Sequence, residues 1–112
     1  MDELTQYIFN YYAHLLTASE RAAHKSSMVE EKAQKTDSPE LSRMMRRKWV
    51  STDPQVTALL ANGREAFMVA ARDRVLREHA DEVFLNNCPK CGALAKTPRA
   101  RQCPKCFFSW HE

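Results

Sequence analysis

Glycine is scarce in this sequence, and long apolar runs are missing. Only Gly63 and Gly92 are glycines among the 112 residues. Because glycine disfavours helix and the abundant alanine, leucine, arginine and glutamate favour it, the composition predicts helix through most of the chain. The richest apolar stretch covers residues 7–16 and contains Asn10 and His14. It is shorter and more polar than the roughly 20 apolar residues that a membrane-spanning helix needs, so we expect no membrane association.

The sequence also shows no export signal, since it starts with an acidic Met-Asp-Glu-Leu segment rather than a basic and apolar one. We therefore expect a soluble cytoplasmic protein. In a reducing compartment, four cysteines are more typical of a metal site than of disulfides. Apolar residues make up 44% of the chain, which is enough to form a folded core.

Two proline-containing segments predict where helices begin. In Ser38-Pro39-Glu40 and in Asp53-Pro54 the first residue can cap a helix, and the proline that follows suits the first helical position. These signals predict helices over residues 2–35, 39–51 and 54–81. The fold class is therefore expected to be mainly α, with a three-helix N-terminal domain of residues 1–83.

The third predicted helix contains a change in its apolar pattern around Gly63. One apolar stripe precedes this residue and a second stripe, on nearly the opposite face, follows it. We favour a continuous helix that changes partner, because a glycine also permits the close approach of a neighbouring helix. A break at Asn62-Gly63 is the alternative.

The apolar faces of the helices are wider than a small monomer needs, which predicts a homo-oligomer, most simply a dimer. Two sets of residues are candidates for its interface: Phe9, Tyr12 and Leu16, or Val69, Leu76 and Ala80.

The motif Cys-Pro-Lys-Cys occurs twice, at residues 88–91 and 103–106, with eleven residues between the copies. Two such turns supply the four thiolates that Zn²⁺ binds in a tetrahedron. Because Cys88, Cys91, Cys103 and Cys106 would fill every coordination position, the ion would be structural. The alternatives are disulfides or free thiols, iron in place of zinc, and His111 in place of one cysteine.

These motifs resemble the knuckles of the zinc ribbon superfamily, which read Cys-Pro-x-Cys-Gly. The resemblance covers residues 84–111 and implies a second domain, residues 84–112. The eleven residues between the motifs suit a short β-hairpin. The short linker Phe84-Leu85-Asn86-Asn87, with two large apolar residues, is a poor flexible tether and predicts that this domain is docked on the helices. The resemblance also implies that Gly92 closes the first knuckle in a left-handed conformation. Phe107 stands at the equivalent position of the second knuckle, where we expect a differently built turn because phenylalanine tolerates positive φ poorly.

The cysteine-containing segment is locally basic, with Lys90, Lys96, Arg99, Arg101 and Lys105 and no acidic residue before Glu112. Lys96, Arg99 and Arg101 are the candidate phosphate-binding residues. Alternatively, part of this charge only balances the thiolates. The formal net charge of +3 falls to +1 once four thiolates and one Zn²⁺ are counted, so any attraction to nucleic acid would be local.

Other candidate binding residues have two interpretations. Phe107, Phe108 and Trp110 are expected to pack the ribbon onto the helices, with base stacking as the alternative. Arg43, Arg46 and Arg47 form a basic face of the second helix, which is either solvated or contacts an acidic partner or nucleic acid.

The sequence has no nucleophile elbow, glycine-rich phosphate loop or catalytic carboxylate pair. We therefore expect a non-enzymatic zinc protein, associated with nucleic acid as a binding or regulatory module. The alternative is a protein–protein interaction adaptor or a homo-oligomeric helical scaffold.

Overall fold

The computed structural model describes residues 2–110, and within this range the chain is mainly helical. It contains five α-helices and one short 3₁₀ helix, at Ala13–Leu15. The α-helices are α1 (Glu3–Tyr11), α2 (Ala18–Lys35), α3 (Pro39–Trp49), α4 (Pro54–Leu59) and α5 (Arg64–Glu78). In the described part of the chain no extended strands form, and β pairing is limited to isolated bridges. The predicted β-hairpin is therefore not seen.

The helix predicted over residues 2–35 is wrong as a single helix. It ends at Tyr11, and α2 begins only after Thr17. The Thr17 hydroxyl accepts a hydrogen bond from the Glu20 N–H, while the Glu20 carboxylate accepts one from the Thr17 N–H. This reciprocal capping box satisfies two backbone donors at the start of a helix. It makes residue 17 a favourable place for a new helix to begin.

The two proline signals are confirmed as helix starts. The Ser38 side chain accepts from the Leu41 N–H ahead of α3, and that of Asp53 accepts from the Gln55 N–H ahead of α4. The continuous helix predicted over residues 54–81 is wrong, since α4 ends at Leu59 and α5 begins at Arg64. Between them Gly63 has a φ of +96°, which an α-helix cannot contain.

The structure divides into two compact units. The first combines the residues up to Leu15 with those from Arg72 onward. Within it the Tyr7 hydroxyl donates to the Phe84 carbonyl at 2.6 Å, and the Arg72 guanidinium donates to the Thr5 hydroxyl at 3.1 Å. This unit therefore joins α1 to the cysteine-containing segment.

The second unit covers Leu16–Ala71, and in it α2 packs against α3 and α4. Ion pairs join Arg46 to Glu30 at 3.0 Å and Arg64 to Glu31 at 2.9 Å. The division into a helical domain of residues 1–83 and a zinc ribbon of residues 84–112 stays a prediction. Compactness groups α1 with the C-terminal segment.

The first surface suggested for a homo-oligomer is largely covered. Phe9 and Leu16 are buried within the chain, so neither is available to a second copy. Of the second set, Val69 and Leu76 are half-buried and Ala80 is exposed. Within residues 2–110, no helix combines the length and the apolar character required to cross a membrane.

Candidate metal centre

The four cysteine sulfurs form one cluster, all lying within 4.8 Å of one another. The sulfurs of Cys88 and Cys106 are 3.7 Å apart, and those of Cys91 and Cys103 are 3.5 Å apart. A tetrahedral Zn²⁺ with bonds of about 2.3 Å requires sulfur–sulfur distances of about 3.75 Å. These two separations are close to that value, and both exceed the roughly 2.05 Å of a disulfide bond.

The two knuckles have the same backbone design, repeated after fifteen residues. In the first, the Gly92 N–H donates to the Cys88 carbonyl and the Cys88 N–H donates to the Ala93 carbonyl. In the second, the Phe107 N–H donates to the Cys103 carbonyl and the Cys103 N–H donates to the Phe108 carbonyl. The repeat extends to the isolated bridges, which pair Asn87 with Leu94 and Gln102 with Ser109.

The expectation of a differently built second knuckle is wrong. Gly92 has a φ of +80° and Phe107 a φ of +63°, so both residues adopt the left-handed conformation that closes such a turn. For an L-residue with a side chain this conformation costs roughly 1–2 kcal/mol. The second knuckle therefore keeps the common geometry despite a residue that disfavours it.

Backbone N–H groups point at the buried sulfurs and favour their thiolate form. The N–H of Cys106 and that of Lys105 lie 3.4 and 3.3 Å from the Cys103 sulfur, and they lower the pKa of that thiol to about 6. Burial is the largest single influence on Cys88 and raises its pKa, but the N–H groups of Cys91 and Lys90, together with the neighbouring sulfurs, outweigh it and the pKa is lowered. Such hydrogen bonds are stronger to an anionic sulfur than to a neutral one.

The opposite effect occurs at Cys91. The Ala93 N–H is the largest single influence and lowers the pKa of this thiol, but the Cys103 sulfur, burial and the sulfurs of the other two cysteines together outweigh it and raise the pKa to about 12. Two adjacent thiolates therefore repel each other unless a cation lies between them. A divalent metal ion supplies that charge and deprotonates its ligands. The chemistry of the four donors thus fits a metal ion, while His111 lies outside the described residues.

The predicted phosphate-binding residues are all exposed. Lys96, Arg99 and Arg101 have no ion-pair partner in the part of the chain that the structure describes. Arg99 lies in a turn that the buried Asn86 stabilises, because its side-chain amide donates to the carbonyls of Thr97 at 2.9 Å and Ala100 at 2.8 Å. This role of Asn86 could not be predicted from the sequence, since nothing in the local pattern reveals contacts to residues eleven and fourteen positions away.

The aromatic residues that follow the last cysteine are more exposed than expected. Phe107 is 71% exposed and Phe108 is 38% exposed, so the prediction that these residues pack the segment onto the helices is wrong for Phe107. The rings of Phe108 and Trp110 stack with centroids 6.5 Å apart. The Lys90 ammonium lies 5.8 Å from the Phe108 ring centre. We call Phe107, Phe108 and Trp110 the aromatic edge.

Other side chains hold the cysteine segment against α1. Besides Tyr7, the Tyr12 hydroxyl accepts from the Phe84 N–H at 3.0 Å, and the Lys105 ammonium pairs with the Glu3 carboxylate at 3.0 Å.

Comparison with known proteins gives no relative: no protein-family model, curated protein or solved structure matches the chain. The resemblance to zinc ribbons therefore rests on the two knuckles alone.

Proposed function

We propose that the chain is a non-enzymatic protein that binds one structural Zn²⁺ through its four cysteines and binds single-stranded nucleic acid through the aromatic edge. The zinc assignment is supported by an all-cysteine donor set at tetrahedral separations. Elemental analysis of the purified protein tests it: one zinc per chain is expected, and iron in its place would contradict it.

The observation that carries the nucleic-acid proposal is the conformation and exposure of Phe107. A glycine at this position would avoid the backbone cost of a positive φ. The phenylalanine gains little packing in return, since 71% of it faces solvent. Phe107 thus combines a positive φ at a non-glycine residue with an exposed large apolar side chain, and neither benefits the fold. Such a residue is typical of a functional site. Phe107 directly precedes the stacked pair of Phe108 and Trp110 in the sequence, and an exposed ring suits base stacking, which is tolerant of sequence.

Local positive charge also supports single-stranded nucleic acid as the ligand. Lys90 lies beside the Phe108 ring, and Lys96, Arg99 and Arg101 are exposed on the same cysteine-containing segment. Lysine and arginine that bind phosphates release counterions, so binding should weaken with salt. We expect Arg99 and Arg101, which have no ion-pair partner among the described residues, to contribute to this binding.

The Phe107→Gly substitution tests the proposal. Affinity for a fluorescently labelled single-stranded DNA or RNA should fall about tenfold, because one stacking contact contributes roughly 1–3 kcal/mol. The knuckle should keep its zinc and its stability, since glycine suits the backbone at this position better. Anisotropy titration at several salt concentrations, together with zinc analysis, measures both effects.

The matched control is Phe84→Ala, which removes another exposed phenylalanine of the same unit from outside the aromatic edge. This variant should bind like the starting protein. Equal affinity of Phe107→Gly and the starting protein, or the absence of any salt-dependent binding, would contradict the nucleic-acid proposal.

A second candidate function, a protein-interaction adaptor, is favoured by α3. Its apolar side chains Leu41, Met44 and Trp49 are exposed, and Arg43 and Arg47 of the same helix are exposed as well. Such a face suits an apolar partner with acidic groups. One such partner could be a second copy of this chain. In that case, the mass measured by light scattering should exceed the 12.9 kDa of the monomer.

A further inference from the structure

Within the first unit, a cleft of about 630 Å³ separates α1 from the knuckles. Its α1 wall includes Gln6, Asn10 and Tyr11, and its other wall includes Lys96 and Lys105. The volume is in the range of small-molecule sites. This cleft is distinct from the aromatic edge, none of whose residues lines it.

The charges of the cleft favour an anion. Two lysines and one carboxylate, that of Glu3, line it, so the lining carries one net positive charge. Lys105 and Glu3 pair at 3.0 Å, but their side chains are 58% and 63% exposed. An ion pair this exposed contributes little to stability, and Lys105 can exchange its carboxylate partner for a phosphate.

The α1 wall supplies groups that recognise a planar polar ring. Gln6 and Asn10 are one helical turn apart and therefore lie on the same face of α1. Among the described residues, neither side-chain amide has a hydrogen-bond partner within the chain. An amide both donates and accepts, as the edge of a nucleobase requires. Tyr11, at 41% exposed, offers a ring against which a base can stack.

We propose that this cleft binds one nucleotide of a single-stranded nucleic acid, with its phosphate on Lys96 and Lys105 and its base against Tyr11, Gln6 and Asn10. The proposal rests on the nucleic-acid function proposed above and adds base preference to it. The aromatic edge would bind any base by stacking, whereas the cleft would discriminate between bases through the two amides.

The charge part of the proposal is tested with the zinc-loaded full chain and labelled eight-nucleotide homopolymers of A, C and U. Glu3→Gln should tighten binding about threefold, because it removes a repulsive carboxylate and frees Lys105. Its control, Glu65→Gln, makes the same change of net charge at an exposed position of the second unit and should have a smaller effect. Lys96→Ala should reduce the salt slope by about 0.7 relative to the control Lys25→Ala.

The base-reading part is tested with Gln6→Ala/Asn10→Ala. The ratio of affinities between the best and the worst homopolymer should fall toward one, while Gln34→Ala, an exposed amide of α2, leaves it unchanged. In nuclear magnetic resonance spectra, the side-chain amide signals of Gln6 and Asn10 should shift on addition of the preferred homopolymer.

The outcomes separate the two proposals. If Phe107→Gly weakens binding while the Glu3, Lys96 and amide variants match their controls, the cleft proposal is overturned and the nucleic-acid function stands. A starting protein that binds every homopolymer equally also overturns the cleft proposal. If the starting protein binds none of them, both proposals fail.

Discussion

Left-handed backbone conformations occur at Gly63, Gly92 and Phe107 in the described part of the chain. Gly63 separates two helices, whereas the other two residues close the knuckles. An added Cβ at Gly63 or at Gly92 would meet no atom within 4 Å. Backbone conformation, and not crowding, is therefore the reason that glycine suits these positions.

The residue-scale prediction concerns Gly63→Ala. We expect the substitution to lower the free energy of unfolding by about 1–2 kcal/mol, since alanine must adopt a φ of the left-handed region that costs this much. Gly63→Asn should cost less, because asparagine tolerates that region better than alanine. Urea denaturation of the starting protein and the two variants measures their order of stability. An alanine variant as stable as the starting protein would mean that the turn between α4 and α5 rearranges without cost.

At the scale of single elements, the capping box at Thr17 determines where α2 begins. We predict that Thr17→Ala lowers the free energy of unfolding by about 1 kcal/mol, because the Glu20 N–H loses its acceptor. Thr17→Ser keeps a hydroxyl and should restore most of this loss. Urea denaturation followed by circular dichroism measures both variants. Equal stability of the alanine and serine variants would show that the hydroxyl does not contribute.

The elements that the sequence predicted correctly depend on local signals. Ser38-Pro39 and Asp53-Pro54 cap helices through bonds that span two or three residues, and the cysteine spacing determines the cluster. The helix breaks had local signals too, namely Thr17 with Glu20 and the single Gly63. The break before Thr17 was missed. A break at Asn62-Gly63 was the alternative to a continuous helix, which was favoured because glycine also permits the close approach of a neighbouring helix.

Other features had no local signal. The bond between Tyr7 and Phe84 joins residues 77 positions apart, and the contacts of Asn86 depend on how the chain turns between the knuckles. The left-handed Phe107 was missed for a different reason. Its residue type disfavours the conformation that the knuckle requires, so propensity and geometry conflict at this position.

At the scale of the whole molecule, the two units differ in what stabilises them. After α5 ends at Glu78, the described part of the first unit has turns and isolated bridges but no helix or strand. A segment this small usually needs a metal or disulfides to fold. Binding of Zn²⁺ to such sites contributes roughly 10–16 kcal/mol. The second unit has α2, which packs along its length against two other helices.

The attachment of α1 to the metal-binding segment links its stability to zinc. This helix has nine residues, fewer than the roughly 12–15 that an isolated helix needs to be even marginally stable in water. The hydroxyl of its buried Tyr7 donates to the Phe84 carbonyl, only four residues before the first cysteine. Loss of the folded knuckles would release this partner.

We therefore predict that chelation of zinc unfolds part of the protein. Hydrogen exchange measured by mass spectrometry should show loss of amide protection in residues 3–11 and 86–110, because α1 and the knuckles depend on the same ion. The amides of α2 and α3 should stay protected, since the ion pairs and packing of their unit involve no cysteine. A variant with Cys88→Ser and Cys103→Ser should show the same pattern without chelator and no further change with it. Protection of α1 that survives chelation would show that the helix is stable without the knuckles, and loss of protection throughout the chain would show that both units unfold together.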